Sequence, residues 1–337
     1  MSKSDNKFII DRVKKKLPNS VIESVRFDQN SINGVLTDKS GKKFFKISSI
    51  ESINRERMGQ LKYSKFNQCP KVLGTYRLDE ENSVILLEYI EAVANYENSL
   101  YFILENEEDN EEICKRILNN YFQTFDAKQI YYSDDDMIDN YQYNKFFYQR
   151  INRLEMISTE DLLFKSIIDE TLFYISNIEL ESMRFLTHGD PSDMNFNTFE
   201  IFIDFEEADY NDIFLEFVIL FWNFFIGGSY LFPKYNRTKY NNKTFSNYSG
   251  ITNNRKCVLV YCISKMKEIC SINKISNNKK IRYCLIFRIL SVLPYDKLDK
   301  DDKKMIADLV KLVNSWNWEC DEVIWDNLSR LVSGELL

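Results

Sequence analysis

The spacing of apolar residues changes character near Glu91, and no other feature limits the fold as strongly. Before it, short β-rich runs alternate with turn-like pieces: "ESVRFDQ", "GVLTD" and "KKFFKIS" are separated by "NSING" and "DKSGK". Runs of β-branched and aromatic residues bounded by Gly, Asn, Asp and Ser are the mark of strands joined by tight turns. A helical stretch from Ile53 to Phe66 interrupts them, and two more strand-like runs follow, "PKVLGTYRL" and "SVILLEYI". After Glu91 the helical period takes over. The expected class is therefore α+β, with a small antiparallel β-rich part over residues 1–91 and a larger helical part over 92–337. A chain of 337 residues supports two such lobes, and the cleft between lobes is the usual place for a ligand.

Within the second part, residues 98–125 and 143–180 read as helical, with "YYSDDDMIDNY" as a loop between them. "EIFIDF" reads as a short strand isolated among helices. Residues 230–254, rich in Asn, Tyr, Lys and Ser, read as a long loop, and helices are expected near 7–16, 255–272, 278–293 and 300–316. In the last, Ile306, Leu309, Val310 and Val313 recur at helical spacing and mark a buried face. The most apolar run, Phe214 to Ile226, is broken by Glu216 and Asn223, so it reads as a buried helix rather than a membrane span. "MSKSDNKFIIDRVKKK" has no apolar core of signal-peptide length. Seven scattered cysteines with no Cys-x-x-Cys pair suit reduced thiols, and a cytoplasmic location is expected. The net charge of −7 argues against nucleic acid as a partner.

"THGDPSDMNFNTFEIFIDFEE", residues 187–207, holds the chain's single histidine among Asp190, Asp193, Asn195 and Asp204. Phosphoryl transfer needs a carboxylate to orient and deprotonate a hydroxyl, oxygen ligands for magnesium, and a cation for the nucleotide phosphates. Asp190 and Asn195 lie five apart, and Asp204 follows a short apolar run that can return it beside them. Carboxylate and amide oxygens suit magnesium better than zinc. Lys46 sits in the apolar strand "FFKI", where a lysine is costly unless paired or bound to anions, and Glu56 on the next helix is a partner for it.

These segments resemble the aminoglycoside phosphotransferase and choline kinase families, which have a protein-kinase-like bilobal fold. "HGDPSDMN" followed by "IDFE" resembles their catalytic and metal signature. "NSINGV" resembles the nucleotide-positioning loop, "FFKI" the phosphate-lysine strand, "NRERMGQL" the glutamate helix, "VILLEYIEA" the hinge and "DIFLEF" the segment after the metal aspartate. The resemblance covers roughly residues 20–225. It implies an ATP- and magnesium-dependent kinase acting on a hydroxyl of a small molecule, an aminoglycoside or amino sugar first and choline or ethanolamine second. A non-catalytic nucleotide-binding protein on the same fold is the alternative of a different class. Carried over, Asp190 is the catalytic base, and Asn195 and Asp204 hold Mg2+. Lys46 contacts the phosphates and pairs with Glu56, Ser31 donates to a phosphate, and the backbone of Glu88 and Ile90 receives the adenine. His188 is structural.

Two positions depart from the pattern. Pro191 stands where Leu is commoner, and Glu216 stands in place of the Asp that braces the catalytic loop. The sequence favours a polar or cationic acceptor and no membrane partner, and leaves the oligomeric state open. Glu206, Glu207 and Asp209 are open to two readings, an acceptor-pocket wall or a polar strand end. "ENEEDNEE" (105–112) reads as a solvated face, and Trp316, Trp318 and Trp325 as helix packing.

Overall fold

The β-rich pieces assemble into one antiparallel sheet in the computed structural model, which describes residues 3–27, 31–106, 110–126, 162–176, 184–227, 251–275, 278–291, 300–318 and 320–335. Helix α1 (Lys3–Lys16) leads into β1 (Val21–Phe27), β2 (Ile32–Asp38) and β3 (Gly41–Ser49). Helix α2 (Ile50–Tyr63), β4 (Val72–Arg77) and β5 (Asn82–Glu88) complete this part. The strand order is β1-β2-β3-β5-β4. "SVILLE" reads as a continuous apolar run because β5 is covered on both faces. Val84 and Leu86 pack with Ile9 and Val13 of α1, and Ile85 and Leu87 with Ile53 of α2. The same two-residue alternation sends Phe45 and Ile47 of β3 toward α1, which turns Lys46 to the α2 face.

Helix α2 starts where the Ser49 side chain accepts a hydrogen bond from the Ser52 amide at 3.2 Å, satisfying one of the donors a helix start leaves open. Its buried positions are Ser52, Ile53, Glu56, Gly59, Gln60 and Tyr63, a stripe at helical spacing. A polar residue on that stripe, Glu56, is thus aimed inward by the same periodicity that buries Ile53.

Beyond the sheet come α3 (Glu91–Ala94), α4 (Leu100–Glu105), α5 (Glu111–Asp126), α6 (Leu162–Ser176), β6 (Arg184–Thr187), β7 (Asp209–Asp212) and α7 (Ile213–Trp222). The chain then runs through α8 (Asn253–Ile272), α9 (Asn278–Ser291), α10 (Lys300–Ser315) and α11 (Asp321–Ser333). All ten residues of α7 are buried. The Asp212 side chain caps it, accepting from the Phe214 and Leu215 amides at 2.9 and 3.2 Å, and pairs with buried Lys280 of α9. A π-helical turn, Asn223–Gly227, continues α7. No helix among the described residues is long and apolar enough to cross a membrane. All seven cysteines are free, and the three tryptophans named above are buried in the main core.

Four expectations need correction or qualification. "EIFIDF" is not a strand: it makes one isolated bridge, Ile201 to Gln68, and Glu200 and Asp204 take left-handed backbone angles (φ 60° and 64°) that break an extended run. The strands of this region are instead β6 and β7, which pair antiparallel from Arg184–Asp212 to Thr187–Asp209 and bracket residues 188–208. Of "NSING", Ile32 to Gly34 belong to β2 rather than to a turn, and Asn30 lies outside the described residues. Residues 98–125 are not one helix but α4 and α5 with a break between. Residues 131–141, 143–161, 177–180, 230–250 and 292–293 of the expected loops and helices lie outside the described residues.

Candidate active site

Lys46 is the centre of the site. It is 9% exposed, and its ammonium lies 2.7 Å from Glu56, 2.8 Å from Asp204 and 3.3 Å from Glu206. Burial alone would lower its pKa, but the three carboxylates outweigh that and hold it well above the usual lysine range. Glu56 responds in the opposite sense: burial pushes it up to about 6 although Lys46 pulls it down. Its other oxygen accepts from the Phe205 amide at 3.1 Å, so one side chain ties β3 to the backbone just past Asp204. The Asp204 side chain is 47% exposed, and the charge of Lys46 lowers its pKa. The ligand atoms of Glu56, Asp204 and Glu206 fall within 4.8 Å of one another.

The loop carrying Asp190 is held from below. Gly189 has φ 85°, a left-handed conformation that side-chain-bearing residues rarely adopt. The Glu216 carboxylate, on α7, accepts from the His188 amide at 2.9 Å, the Gly189 amide at 3.0 Å and the Tyr121 hydroxyl at 2.6 Å. Glutamate therefore does the bracing here, its extra methylene notwithstanding. Burial pushes it up to about 7, against the pull of those three donors. The His188 ring meets Tyr63, Phe196 and Phe205, and burial lowers its pKa. Its Nε2 lies 2.9 Å from the Ile203 carbonyl, which makes that nitrogen the protonated one in a neutral ring. His188 thus links the Asp190 loop to the Asp204 loop, as a structural residue would.

Asn195 strengthens the same link. Its Nδ2 donates to the Asp190 carbonyl at 3.0 Å and its own carbonyl accepts from the Ile203 amide at 3.1 Å. With its amide nitrogen so used, Oδ1 is the atom it can offer a cation, from beside Asp204. Ser31 precedes β2 and accepts from the Asn33 side chain at 3.1 Å, and Asn33 is the register partner of Lys46. At the end of β5 the Glu88 amide donates to the Lys71 carbonyl at 2.9 Å, and the Ile90 carbonyl accepts from the Val93 and Ala94 amides.

The acids after Asp204 face the first lobe. Glu206 bonds Lys46 and Arg55, the latter at 2.9 Å, and Asp209 pairs with Lys62. Both carboxylates are thus engaged by cations of the first lobe. Glu105 and Asp193 are likewise engaged, at 2.7 and 2.6 Å, by Arg255. That arginine is completely buried and also donates to the Phe224 carbonyl at 3.0 Å. Sequence reading missed Arg255 and Tyr121. The signal available was an arginine in the first turn of an apolar helix, three residues after the cap-forming Thr252, whose side chain accepts from the Arg255 amide.

No family model and no curated protein sequence matches the chain. Solved structures do. A Ralstonia eutropha protein provisionally named an aminoglycoside phosphotransferase superposes with a TM-score of 0.56 at 11% identity, over 95% of this chain and 98% of that one. Aminoglycoside phosphotransferase APH(4)-Ia gives a TM-score of 0.52 at 11% identity, over 97% and 99%. The fold is that of the aminoglycoside phosphotransferases. A thermostable mutant of APH(4)-Ia in ternary complex with ADP and hygromycin B superposes at 0.51 and 10% identity, over 96% and 97%. The α+β class expected from the periodicity change, and the kinase-like bilobal form that the resemblance implied, are the ones found.

Proposed function

We propose that this chain is an ATP- and magnesium-dependent phosphotransferase that moves the γ-phosphoryl group to a hydroxyl of a small molecule, with aminoglycosides and related amino sugars as the first acceptor class. One observation carries the reading. Lys46, Glu56 and Asp204 converge within hydrogen-bond distance, and Asn195 and His188 lash the Asp190 loop to the Asp204 loop. A fold-mate with ADP and hygromycin B in one complex supports the acceptor class. The net charge of −7 supports a polar or cationic acceptor.

The residues present fit magnesium: a half-exposed carboxylate on Asp204 and an amide oxygen on Asn195 are hard donors. Bound ATP–magnesium supplies the phosphoryl group and neutralises charge that develops on it. Residues 1–91 form the nucleotide lobe and 92–337 the catalytic and acceptor lobe. Lys46 holds the nucleotide phosphates, Ser31 donates to one of them, and the backbone of Glu88 and Ile90 addresses the adenine. Glu56 keeps Lys46 in place. Asp190 orients the acceptor hydroxyl and takes its proton, a service worth about 10²–10⁴-fold in rate for a positioned base. The reading places the protein in the cytoplasm.

Asp190 and Asp204 should therefore fail differently. Purified protein is first screened for ATP consumption with aminoglycosides, amino sugars and choline. Asp204→Asn should lose magnesium-dependent ATP affinity together with turnover. Asp190→Asn should keep ATP affinity by calorimetry while kcat falls about 10²–10⁴-fold. ATP binding with no turnover on any acceptor identifies a nucleotide-binding protein instead. Loss of ATP binding in Asp190→Asn would sink the role assignment.

A further inference from the structure

Two buried arginines meet on the π turn that follows α7, and each reaches the Asp190 loop from a different side. Arg255 of α8 donates to the Phe224 carbonyl at 3.0 Å and to Asp193, three residues beyond Asp190, at 2.6 Å. Arg288 of α9 is 4% exposed and donates from Nη2 to Asn223 Oδ1 at 3.3 Å. Asn223 in turn directs its Nδ2 to the carbonyl of Pro191, the residue after Asp190, at 3.4 Å. A π turn inside or at the end of a helix is a costly, rare arrangement that often marks a functional site. Here it is the element on which both arginines bear.

Arg255 has two carboxylates to offset its burial, Asp193 and Glu105. Arg288 is placed differently: burial lowers its pKa to about 10, and the charge that opposes this is that of Asp190. The guanidinium therefore stays charged at neutral pH. For stability alone, an apolar side chain at 288 would pack α9 on α7 at least as well, since buried charges are commonly replaceable by apolar residues at no loss.

We infer that Arg288, acting through Asn223, is a positioning residue for phosphoryl transfer: it holds the Pro191 carbonyl, one residue past Asp190, and with it the backbone that carries the catalytic carboxylate. The inference rests on the phosphotransferase reading above. Asp190 must present one oxygen to a hydroxyl in a defined direction, and misplacement by about 1 Å costs on the order of 10²-fold in rate. Neither Arg288 nor Asn223 is assigned contact with the nucleotide, so the effect belongs in kcat.

The test uses the full chain and a probe that needs no known acceptor, the slow hydrolysis of ATP–magnesium with water in place of the hydroxyl. Arg288→Met, Arg288→Lys, Asn223→Ala and Asp190→Asn are compared with Leu328→Ala, a buried α11 residue that reports simple destabilisation. Thermal midpoints are measured alongside. Arg288→Met should lower kcat about tenfold or more and leave KM for ATP within about twofold, a split characteristic of an interaction felt only in the transition state. Arg288→Lys, which keeps a donor, should recover much of that loss. Asn223→Ala should resemble Arg288→Met although the arginine is intact. Leu328→Ala should lose stability with kcat nearly unchanged. The inference is overturned if Arg288→Met keeps wild-type kcat, if Lys is no better than Met, or if kcat in all variants simply follows the thermal midpoint. Should Arg288→Met not fold, a wild-type kcat in Asn223→Ala overturns it equally. Turnover that is absent, or insensitive to Asp190→Asn, instead removes the phosphotransferase reading, and the positioning role goes with it.

Discussion

Glu216→Gln exchanges one oxygen for an NH2 group beneath the Asp190 loop and keeps the volume of the side chain. In the wild type both oxygens accept backbone amides, from His188 and Gly189, and the Tyr121 hydroxyl is a third partner. Glutamine can still accept from His188 and Tyr121. Its Nε2 then faces the Gly189 amide across a 3.0 Å contact, donor against donor. Leaving that buried amide unsatisfied costs about 1–3 kcal/mol. The wild type carries its own burden: burial raises Glu216 from 4.5 to about 7, and at 1.36 kcal/mol per pKa unit its ionised form costs about 3 kcal/mol. The sign follows from proton counts. Between about 4.5 and 7 the folded protein binds more protons at this site than the unfolded chain, so the stability contributed here is fully present below that window and declines as pH rises through it. Glutamine does not titrate. At pH 5 Glu216 is protonated in the folded protein, but its hydroxyl oxygen still offers the Gly189 amide a lone pair that an NH2 group lacks, so urea unfolding at pH 5, 6.5 and 8 should show the variant less stable by about 1–2 kcal/mol at pH 5, with the gap closing toward pH 8. Turnover should fall at every pH, because the Gly189 peptide moves and Asp190 with it. A gap that widens with pH would refute the reasoning, since it would mean the three donors outweigh burial and hold the carboxylate ionised.

Lys46→Ala leaves Glu56, 2% exposed, without its cation; stability should drop by about 3–5 kcal/mol, and ATP affinity by calorimetry should drop with it. The double variant with Glu56→Gln should regain stability but not ATP affinity, and wild-type ATP binding by Lys46→Ala would remove Lys46 from the site. Gly59→Ala should destabilise by about 1–3 kcal/mol in a thermal melt, although Gly→Ala in a helix interior ordinarily gains up to about 1 kcal/mol. The reason is local: a Cβ at 59 would lie 2.2 Å from the Phe205 carbonyl and 3.0 Å from Ala208. Helix α2 would have to withdraw from the Asp204 segment, drawing Glu56 off the Phe205 amide, so turnover should fall too.

Much of this site was legible because certain residue types are costly where the sequence puts them. A lysine between Phe45 and Ile47 on an apolar strand needs an anion, and Glu56 supplies it. Asp190 and Asn195 lie close enough along the chain for spacing to join them. The acids after Asp204 were not legible, because Arg55 and Lys62 lie about 150 residues away in sequence and α2 carries other charges that could have taken their place. The buried arginines hid for a different reason. A helix has a solvent side, so Arg288 in "RYCLIFRIL" passes for an outward residue, whereas the same charge on a strand covered on both faces stands out. The hairpin β6–β7 was missed because "DYND" has no apolar alternation to signal a strand; its pairing with "RFLT" is what makes it one.

The π turn at Asn223–Gly227 also bears on how this chain can change length over generations. Such a turn is closed by i→i+5 bonds and so spans one residue more than an α-helical turn of the same rise. Deleting a single residue there would let the backbone relax into an uninterrupted α-helix, a local change that on its own is favourable. What would change is the turn itself, where the wider i→i+5 rings would give way to i→i+4 rings and the carbonyls would be re-aimed. Asn223 and the Phe224 carbonyl would no longer keep their spacing against two arginines on two different helices. The segment can therefore exchange side chains more freely than it can lose a residue, and relatives that keep the two arginines should keep its length as well.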